Sequence, residues 1–485
     1  MDLNYKASIK IGGAILCILG AVMVFPFIVS LIYHEYMCSK AFGIVGLFSL
    51  VLGGVLFAFI TPSHPKLKLR DGAFIVTMSW LTCCIIGAIP FVLSGALPNW
   101  ADALFESSSG FSTTGASIVS DIEGLPKSIL FWRTFSHWLG GMGILLFTIA
   151  LLPMLGMDSH HLAAAETPGP TLSKLTPKIS DTARYLYIFY FALTILLIFL
   201  LLFGGMNLFD AICHSFSAMG TGGFANYNDS MAHYNSLYIE IVLIVFMLVS
   251  ATNFNLFFVA YKNGIKTFFQ DGEWKLYVLI FTMTTTFIAL YLWGNGNYDL
   301  FSSFRHAAFQ DAAILTTTGF STENYGLWPT FCQMTLFLLF FCGSMSSSTS
   351  GGVKVVRILV LLKLIKRSIA IRLHPNAIIQ VKLNNHLLSR DTVSNIANFL
   401  FAYIGIGMIG TLFFAIDGHD FITCISTSFS FVGNVGPGFG NMDPAHNFSI
   451  FSDFNKVIAS ILMIAGRLEI FTLLMLFTKR FWKSF

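Results

Sequence analysis

Four short stretches carry the residue types and spacing that could do chemistry in this chain. They are Thr113-Thr114-Gly115, Thr221-Gly222-Gly223, Thr317-Thr318-Gly319 and Asn434-Val435-Gly436. Each follows a short segment of helical character, in "ESSSGFSTTGAS" from Glu106, "HSFSAMGTGGFANYN" from His214, "QDAAILTTTGFST" from Gln310 and "STSFSFVGNVGPGFG" from Ser426. Glycine permits positive φ and leaves room for carbonyls to turn inward. Rings of such carbonyls can replace the water shell of an alkali cation. A short helix whose C-terminus points at the ring adds about half a negative charge there. The chemistry predicted is coordination of a cation by backbone oxygens. Glycines in membrane helices also allow close packing. That is the reading for Gly12-Gly13 and for "GGMG" at 140–143, which have no counterparts elsewhere in the chain.

The elements that must position these stretches are membrane helices. The chain has 485 residues, of which 55% are hydrophobic and 11% charged, with Phe occurring 51 times. Soluble domains are about 25% charged, so a soluble core is excluded and the protein is integral to a membrane. A spanning helix needs about 20 mainly apolar residues. Ten runs qualify, near 11–33, 42–61, 73–96, 130–155, 184–204, 236–259, 276–293, 330–365, 393–416 and 456–478. The first is too long for a signal-peptide core and is read as a helix. The eight cysteines show no C-x-x-C or metal spacing and lie mostly in apolar runs, where they act as small hydrophobes.

The net charge of +4 is small, but its placement is informative. Lys and Arg concentrate at the N-terminus, in 62–72, 156–183, 260–275 and 354–390, and at the C-terminus. Short cytoplasmic loops carry this excess. All these regions fall on one side of a ten-helix model with both termini cytoplasmic. Lys40, Lys127, Arg133, Arg305, Lys456 and Arg467 fall elsewhere.

After the first two helices, one pattern occurs four times: spanning helix, short segment, Gly-rich loop, spanning helix. The short segments, near 101–112, 208–219, 304–315 and 420–432, are too short to span and are read as re-entrant. The expected divisions are a two-helix extension at 1–70 and repeats at 71–160, 161–270, 271–390 and 391–485. The expected fold is all-α, integral to the membrane, with four M1–pore-helix–M2 repeats in pseudo-four-fold arrangement around one pore. Irregular backbone at membrane depth survives only when buried in protein or lining water. The four triplets are therefore the expected filter.

The second helix of the third repeat is interrupted by Gly343, Ser344, Met345, Ser346, Ser347, Ser348, Thr349, Ser350, Gly351 and Gly352. Such residues propagate a helix poorly. A packing kink is one reading; an unwound gate under the filter is the other. Arg467 lies inside the last apolar run, where a charge costs about 2.5–3.5 kcal/mol on insertion scales. It is read as a cationic barrier facing the pore beside the gate, or as a tie to a carbonyl or distant acid. Glu469, two residues on, would sit on nearly the opposite helix face. Asp102, Asp210 and Asp420 suit the starts of short helices. His160-His161 reads as solvated loop, and Cys213 and His214 as packing residues.

The motifs "FSTTGAS" (111–117), "HSFSAMGTGGF" (214–224), "LTTTGFST" (315–322), "GNVGPGFG" (433–440), "SMSSSTSGGVKVVRI" (344–358) and "GRLEIFT" (466–472) together resemble the Trk/Ktr/HKT superfamily of potassium transporters, most closely its bacterial TrkH branch. The resemblance implies potassium uptake across the bacterial inner membrane, with rubidium as a congener. It implies a homodimer with a pore in each subunit and a cytosolic RCK-type nucleotide-binding ring that regulates opening. It matches 343–352 and Arg467 to the family's gate. Glycine at all four filter positions goes with potassium over sodium; Asn434 and Val435 depart from the threonine pattern. Lys354 and Arg357 follow the gate, where a cytosolic ring could act. The transported potassium at the filter is the only expected metal, with no cofactor, no nucleic-acid partner and no enzymatic activity. A membrane enzyme would need a catalytic cluster or H-E-x-x-H, and neither is present. The alternative mechanism is a proton- or sodium-coupled symporter, which would want buried acids or histidines along the path.

Overall fold

The computed structural model describes residues 3–61, 67–143, 179–296, 298–377, 379–384 and 386–482. The second half of the expected run 130–155, Lys174, Lys178 and His160-His161 lie outside the described residues.

An extension opens the fold: α1 (Tyr5–Val22), α2 (Val24–Ile32) and α3 (Tyr36–Phe59). Helices α1 and α3 pack backbone to backbone because glycines face each other. A Cβ on Gly20 would stand 2.7 Å from the Gly46 carbonyl, and one on Gly53 would stand 2.6 Å from that of Gly13. Gly13 thus packs as expected, whereas Gly12 faces open space.

Next come α4 (Leu69–Leu93), α5 (Trp100–Phe111) and α6 (Lys127–Gly141). The second group is α7 (Ile179–Phe203), α8 (Leu208–Met219), α9 (Leu237–Ser250), α10 (Phe254–Asn263) and α11 (Lys266–Gln270). The third is α12 (Gly272–Gly294), α13 (Leu300–Leu315), α14 (Thr330–Leu339) and α15 (Val355–Leu373), followed by a two-residue hairpin, β1 (Lys382–Leu383) and β2 (His386–Leu387). The last is α16 (Arg390–Ala415), α17 (Phe421–Gly433), α18 (Asp453–Arg467), α19 (Phe471–Leu476) and α20 (Lys479–Trp482).

Among the described residues six helical segments are long and apolar enough to cross a membrane: Tyr5–Ile32, Tyr36–Phe59, Arg70–Leu93, Arg184–Phe203, Gly272–Gly294 and Arg390–Ala415. Large apolar side chains such as Phe203, Phe401 and Leu412 stand exposed on them, as a lipid-facing surface requires.

Three of the expected runs are broken, 330–365 as the sequence indicates and the other two unexpectedly. The run 236–259 bends by 88° between α9 and α10, because the Asn253 side chain accepts from the Asn255 N–H at 2.9 Å and starts a new helix. The run 330–365 stops at Leu339 and resumes at Val355. The run 456–478 breaks after Arg467, where Glu469 (φ 53) and Ile470 (φ 61) take left-handed backbone.

Helices α5, α8, α13 and α17 each pack on the long helix before them, α4, α7, α12 and α16 respectively. Helix α5 also packs on α6 and α18, which brings the last segment against the first. Beside it Phe105 of α5 and Phe431 of α17 meet edge to face at 5.7 Å; such pairs add about 0.5–1.5 kcal/mol beyond area burial.

Candidate functional site

The four short helices end in one backbone motif. The N–H groups of Thr114, Gly222, Thr318 and Val435 donate to the carbonyls of Ser109, Ser217, Ala313 and Ser430 at 2.9, 2.9, 2.8 and 2.9 Å. This is the wide bond of a Schellman ending, which needs a left-handed residue just before the donor. Those residues are Thr113 (φ 56), Thr221 (φ 53), Thr317 (φ 56) and Asn434 (φ 53). Two residues on, Gly115 (φ 81), Gly223 (φ 82), Gly319 (φ 78) and Gly436 (φ 105) are left-handed again. A threonine at positive φ is disfavoured, so three such threonines at equivalent places record a demand of the surrounding structure.

The triplets meet in cyclic order. A Cβ on Gly115 would run into the carbonyl oxygen of Gly222, and one on Gly223 into that of Thr318. On Gly319 it would lie 2.5 Å from the Val435 oxygen, and on Gly436 2.5 Å from the Thr114 oxygen. The third residue of each triplet thus packs on the middle carbonyl of the next, and the fourth returns to the first. All twelve predicted filter residues, Thr113 to Gly115, Thr221 to Gly223, Thr317 to Gly319 and Asn434 to Gly436, take part. On one side the ring opens into a cleft of about 240 Å³ lined by Gly115, Gly223, Gly319 and Pro437, with Asp443 and His446 at its rim. The C-terminal ends of four helices converge there, each carrying about half a negative charge.

The fourth loop is chemically different. Asn434 Nδ2 donates to Thr114 Oγ1 at 3.0 Å and to the Met463 carbonyl at 2.8 Å. A threonine cannot make both bonds.

The starts of the short helices are capped by Asn99, Asn207, Asp299 and Asp420. Of the three acids expected there, Asp420 is a cap. Asp102 and Asp210 lie in the first turns of α5 and α8, as the dipole favours, and Asp102 also pairs with Lys456 at 2.6 Å. Asp210 accepts from Asn226, Tyr227 and Tyr234 at 2.7, 2.7 and 3.1 Å. Asp299 was not among those expected; the Ser302 hydroxyl and nearby N–H groups hold its carboxyl below the usual carboxylate range.

The interrupted segment Gly343–Gly352 is folded and buried against the ring. Gly351 N–H donates to Thr317 Oγ1 at 2.9 Å, and a Cβ on Gly351 would stand 2.8 Å from that of Asn434. Gly343 and Gly352 pack on each other at the loop's ends. The Ser344 and Ser350 hydroxyls hydrogen-bond inside it, and Ser348 Oγ donates to the Met345 carbonyl at 2.6 Å. The Ser347 carbonyl accepts from Phe254 N–H at 3.1 Å, and Thr349 Oγ1 donates to the Ser250 carbonyl at 3.0 Å. Ser346 donates both N–H and Oγ to Glu273, at 2.6 and 2.8 Å. Glu273, at the start of α12, was not singled out from sequence; nothing local marks it, since its partners Ser346 and Val356 are 73 and 83 residues away.

Arg467 reaches this loop. Its Nη1 donates to the Thr349 carbonyl at 2.7 Å, and its Nη2 donates to Gly141 at 2.8 Å and to Gly140. The carbonyls of "GGMG" therefore serve as acceptors besides packing. Glu469 forms no pair with Arg467; it joins Arg357 from α15, and the helix break removes the face argument altogether. Lys354 and Arg357 are buried. Lys354 Nζ donates to the Ser350 carbonyl at 2.5 Å and Arg357 Nη1 to that of Val353 at 2.9 Å. Neither presents its charge at a surface where a cytosolic ring would meet it.

Two other charges away from the basic side are paired too: Arg305 with Glu240 at 2.6 Å, and Arg133 with Glu106 at 2.7 Å. His214 Nε2 accepts the Asn226 N–H at 3.3 Å and so does more than pack. Cys213 is buried in the apolar core, as expected.

Fold and site together define a polytopic helical membrane protein whose irregular backbone is gathered at one buried ring with cation-favouring polarity. A family model described as cation transport protein, TrkH, matches residues 38–484. The chain is 34% identical to the Trk system potassium uptake protein TrkH of Salmonella typhimurium, over 99% of this chain and 100% of that one. It is 35% identical to TrkG of Escherichia coli over 95% of both. The crystal structure of the potassium transporter TrkH from Vibrio parahaemolyticus superposes with a TM-score of 0.89 at 33% identity, covering 99% of this chain and 100% of that one. The chain belongs to the TrkH family of cation transport proteins.

Proposed function

We propose that this protein takes up potassium across the bacterial inner membrane, through the four-loop ring acting as a carbonyl-lined filter. The observation that carries the reading is the repeated backbone: left-handed residue, middle carbonyl, left-handed glycine, four times in a closed cycle. Family membership and the potassium uptake named for its relatives support it. In this reading the chain is a two-helix extension (1–70) and four repeats (71–160, 161–270, 271–390, 391–485) around one pore, with both termini cytoplasmic. The segment Gly343–Gly352 and Arg467 form the gate. The working unit is a homodimer regulated by a cytosolic RCK-type nucleotide-binding ring.

Among the buried acids, the coupled-symport reading can draw on Asp311. Asp311 on α13 is wholly buried and accepts from Thr284 and Thr285 of α12 at 2.6 and 2.5 Å. It faces that helix rather than the triplets, so passive conduction is the better reading.

The test is rubidium-86 uptake into potassium-loaded liposomes holding the purified protein, with potassium, sodium and lithium as competitors. Uptake blocked by potassium but not sodium, and altered by Gly223→Ser, is expected. Equal block by sodium and lithium would overturn the filter.

A further inference from the structure

Behind the seam between the first and second loops lies a charged assembly that the filter reading does not use. Arg133 and Glu106 are both fully buried, at 1% and 0% exposure, with Arg133 Nε 2.7 Å from Glu106 Oε1. The carboxylate also accepts from Ser117 Oγ at 2.9 Å and from Ile118 N–H at 3.1 Å, just past the first triplet. The guanidinium donates to Ser117 Oγ at 3.1 Å and to the Ala225 carbonyl at 3.3 Å, just past the second. It also lies 4.3 Å from the centre of the Phe224 ring.

One turn along α6, His137 repeats the bridge. Its Nδ1 is 2.7 Å from the Gly110 carbonyl at the end of α5, and its Nε2 accepts the Phe224 N–H at 3.3 Å. A Cβ on Gly222 would strike the imidazole ring. Positions i and i+4 of a helix share a face, so one face of α6 holds both loops.

The other seams are joined by uncharged donors, although between the third and fourth one of them, Asn324 Nδ2, meets the Asp443 carboxylate at 3.1 Å. Met231 N–H donates to the Ser321 carbonyl at 2.9 Å between the second and third. Tyr325 OH donates to the Gly438 carbonyl at 3.1 Å between the third and fourth, and Phe448 N–H to the Ser117 carbonyl at 3.0 Å between the fourth and first. Burying an ion pair costs desolvation, and an apolar replacement of equal volume is often as stable. What the pair supplies instead is geometry: the short charge-assisted bond to Glu106 fixes the guanidinium, and its fork then reaches Ser117 and Ala225, one from each loop, at once.

We infer that Arg133, fixed by Glu106 and seconded by His137, is a positioning residue that holds the first and second loops apart and so determines alkali-cation specificity. This rests on the ring being the filter. A ring held at fixed width can match the larger, more weakly hydrated potassium; one free to close can fit sodium.

The experiment is competition of rubidium-86 uptake in proteoliposomes, read as the ratio of half-blocking sodium to potassium concentrations. Arg133→Lys keeps the charge but loses the fork. The double variant Glu106→Gln with Arg133→Met removes both charges at similar volume and leaves none unpaired. Both are expected to lower the ratio by about tenfold, the size of discrimination that one well-placed contact supplies, with the elution volume and thermal midpoint of the protein held. If the double variant elutes as aggregate, Arg133→Lys alone decides. An unchanged ratio in folded Arg133→Lys overturns the inference. Gly223→Ser, measured beside them, separates the levels. If it shifts the ratio while Arg133→Lys does not, only the brace falls. If neither shifts it, the filter reading falls as well.

Discussion

Arg467 donates to the Thr349 carbonyl at 2.7 Å, so the broken end of α18 and the serine-rich loop are held by a single guanidinium. The same group holds the carbonyls of Gly140 and Gly141 at the end of α6. A positive charge thus sits among three backbone oxygens contributed by two elements, on the same side of the ring as the loop.

Removing it should both lower an electrostatic barrier and release the loop. Arg467→Ala is expected to speed rubidium-86 uptake per mole of reconstituted protein on the order of tenfold, equivalent to about 1.4 kcal/mol of barrier. Arg467→Lys keeps the charge but cannot reach three carbonyls, so its rate should fall between the two. Wild-type flux from a folded Arg467→Ala protein would refute the barrier role.

The loop's hold on the ring itself can be weakened without touching a charge. Thr317 Oγ1 accepts the Gly351 N–H at 2.9 Å. Thr317→Val keeps the shape and strands a buried N–H, which costs about 1–3 kcal/mol. Faster hydrogen–deuterium exchange across 343–352 and a higher basal uptake are the expected results. An exchange pattern matching the wild type would mean that Glu273 and Lys354 hold the loop by themselves.

The features legible in the sequence are those encoded locally. The helix α5, read at 101–112, runs from Trp100 to Phe111, and α8, read at 208–219, has those same bounds. Apolar turn and Thr-Gly ending lie within one short stretch, so these helices announce themselves, although their caps, Asn99 and Asn207, are not the acids expected there. The bend at Asn253 was hidden because hydropathy continues across it; one side-chain cap outweighs the apolar run. The break after Arg467 was hidden for a different reason. It depends on partners at Thr349 and Arg357, more than a hundred residues away. Arg133 stood out as a charge in the wrong place, but Glu106, 27 residues earlier, could not be chosen as its partner without the packing of α5 on α6.

Asp311 decides between conduction and coupling. Its carboxyl ties α13 to α12 through Thr284 and Thr285. At the equivalent place Ser107 donates to the Cys84 carbonyl at 2.7 Å and Ser428 to the Gly407 carbonyl at 2.6 Å, so the tie is common and only its ionisable form is peculiar to this helix. Asp311→Asn keeps an acceptor there and should leave uptake responsive to membrane potential, with no response to an imposed proton gradient in either protein. A proton-gradient dependence lost in Asp311→Asn would establish symport.

Asn434 tests whether the ring needs its asymmetry. Asn434→Thr would make the fourth triplet resemble the other three, and the left-handed backbone there is one that threonine adopts at Thr113, Thr221 and Thr317. Backbone strain alone therefore predicts little change. The side chain predicts more, because Thr114 Oγ1 and the Met463 carbonyl would lose their donor. Thr114 Oγ1 keeps the Ser112 hydroxyl at 2.7 Å, so the loss falls mainly on the Met463 carbonyl, at about 1–3 kcal/mol, and the thermal midpoint should fall. The seam between the fourth and first loops would also lose its tie to α18, and sodium should compete better for rubidium uptake. A variant with unchanged midpoint and unchanged competition would show that the Phe448–Ser117 backbone bond holds that seam without help.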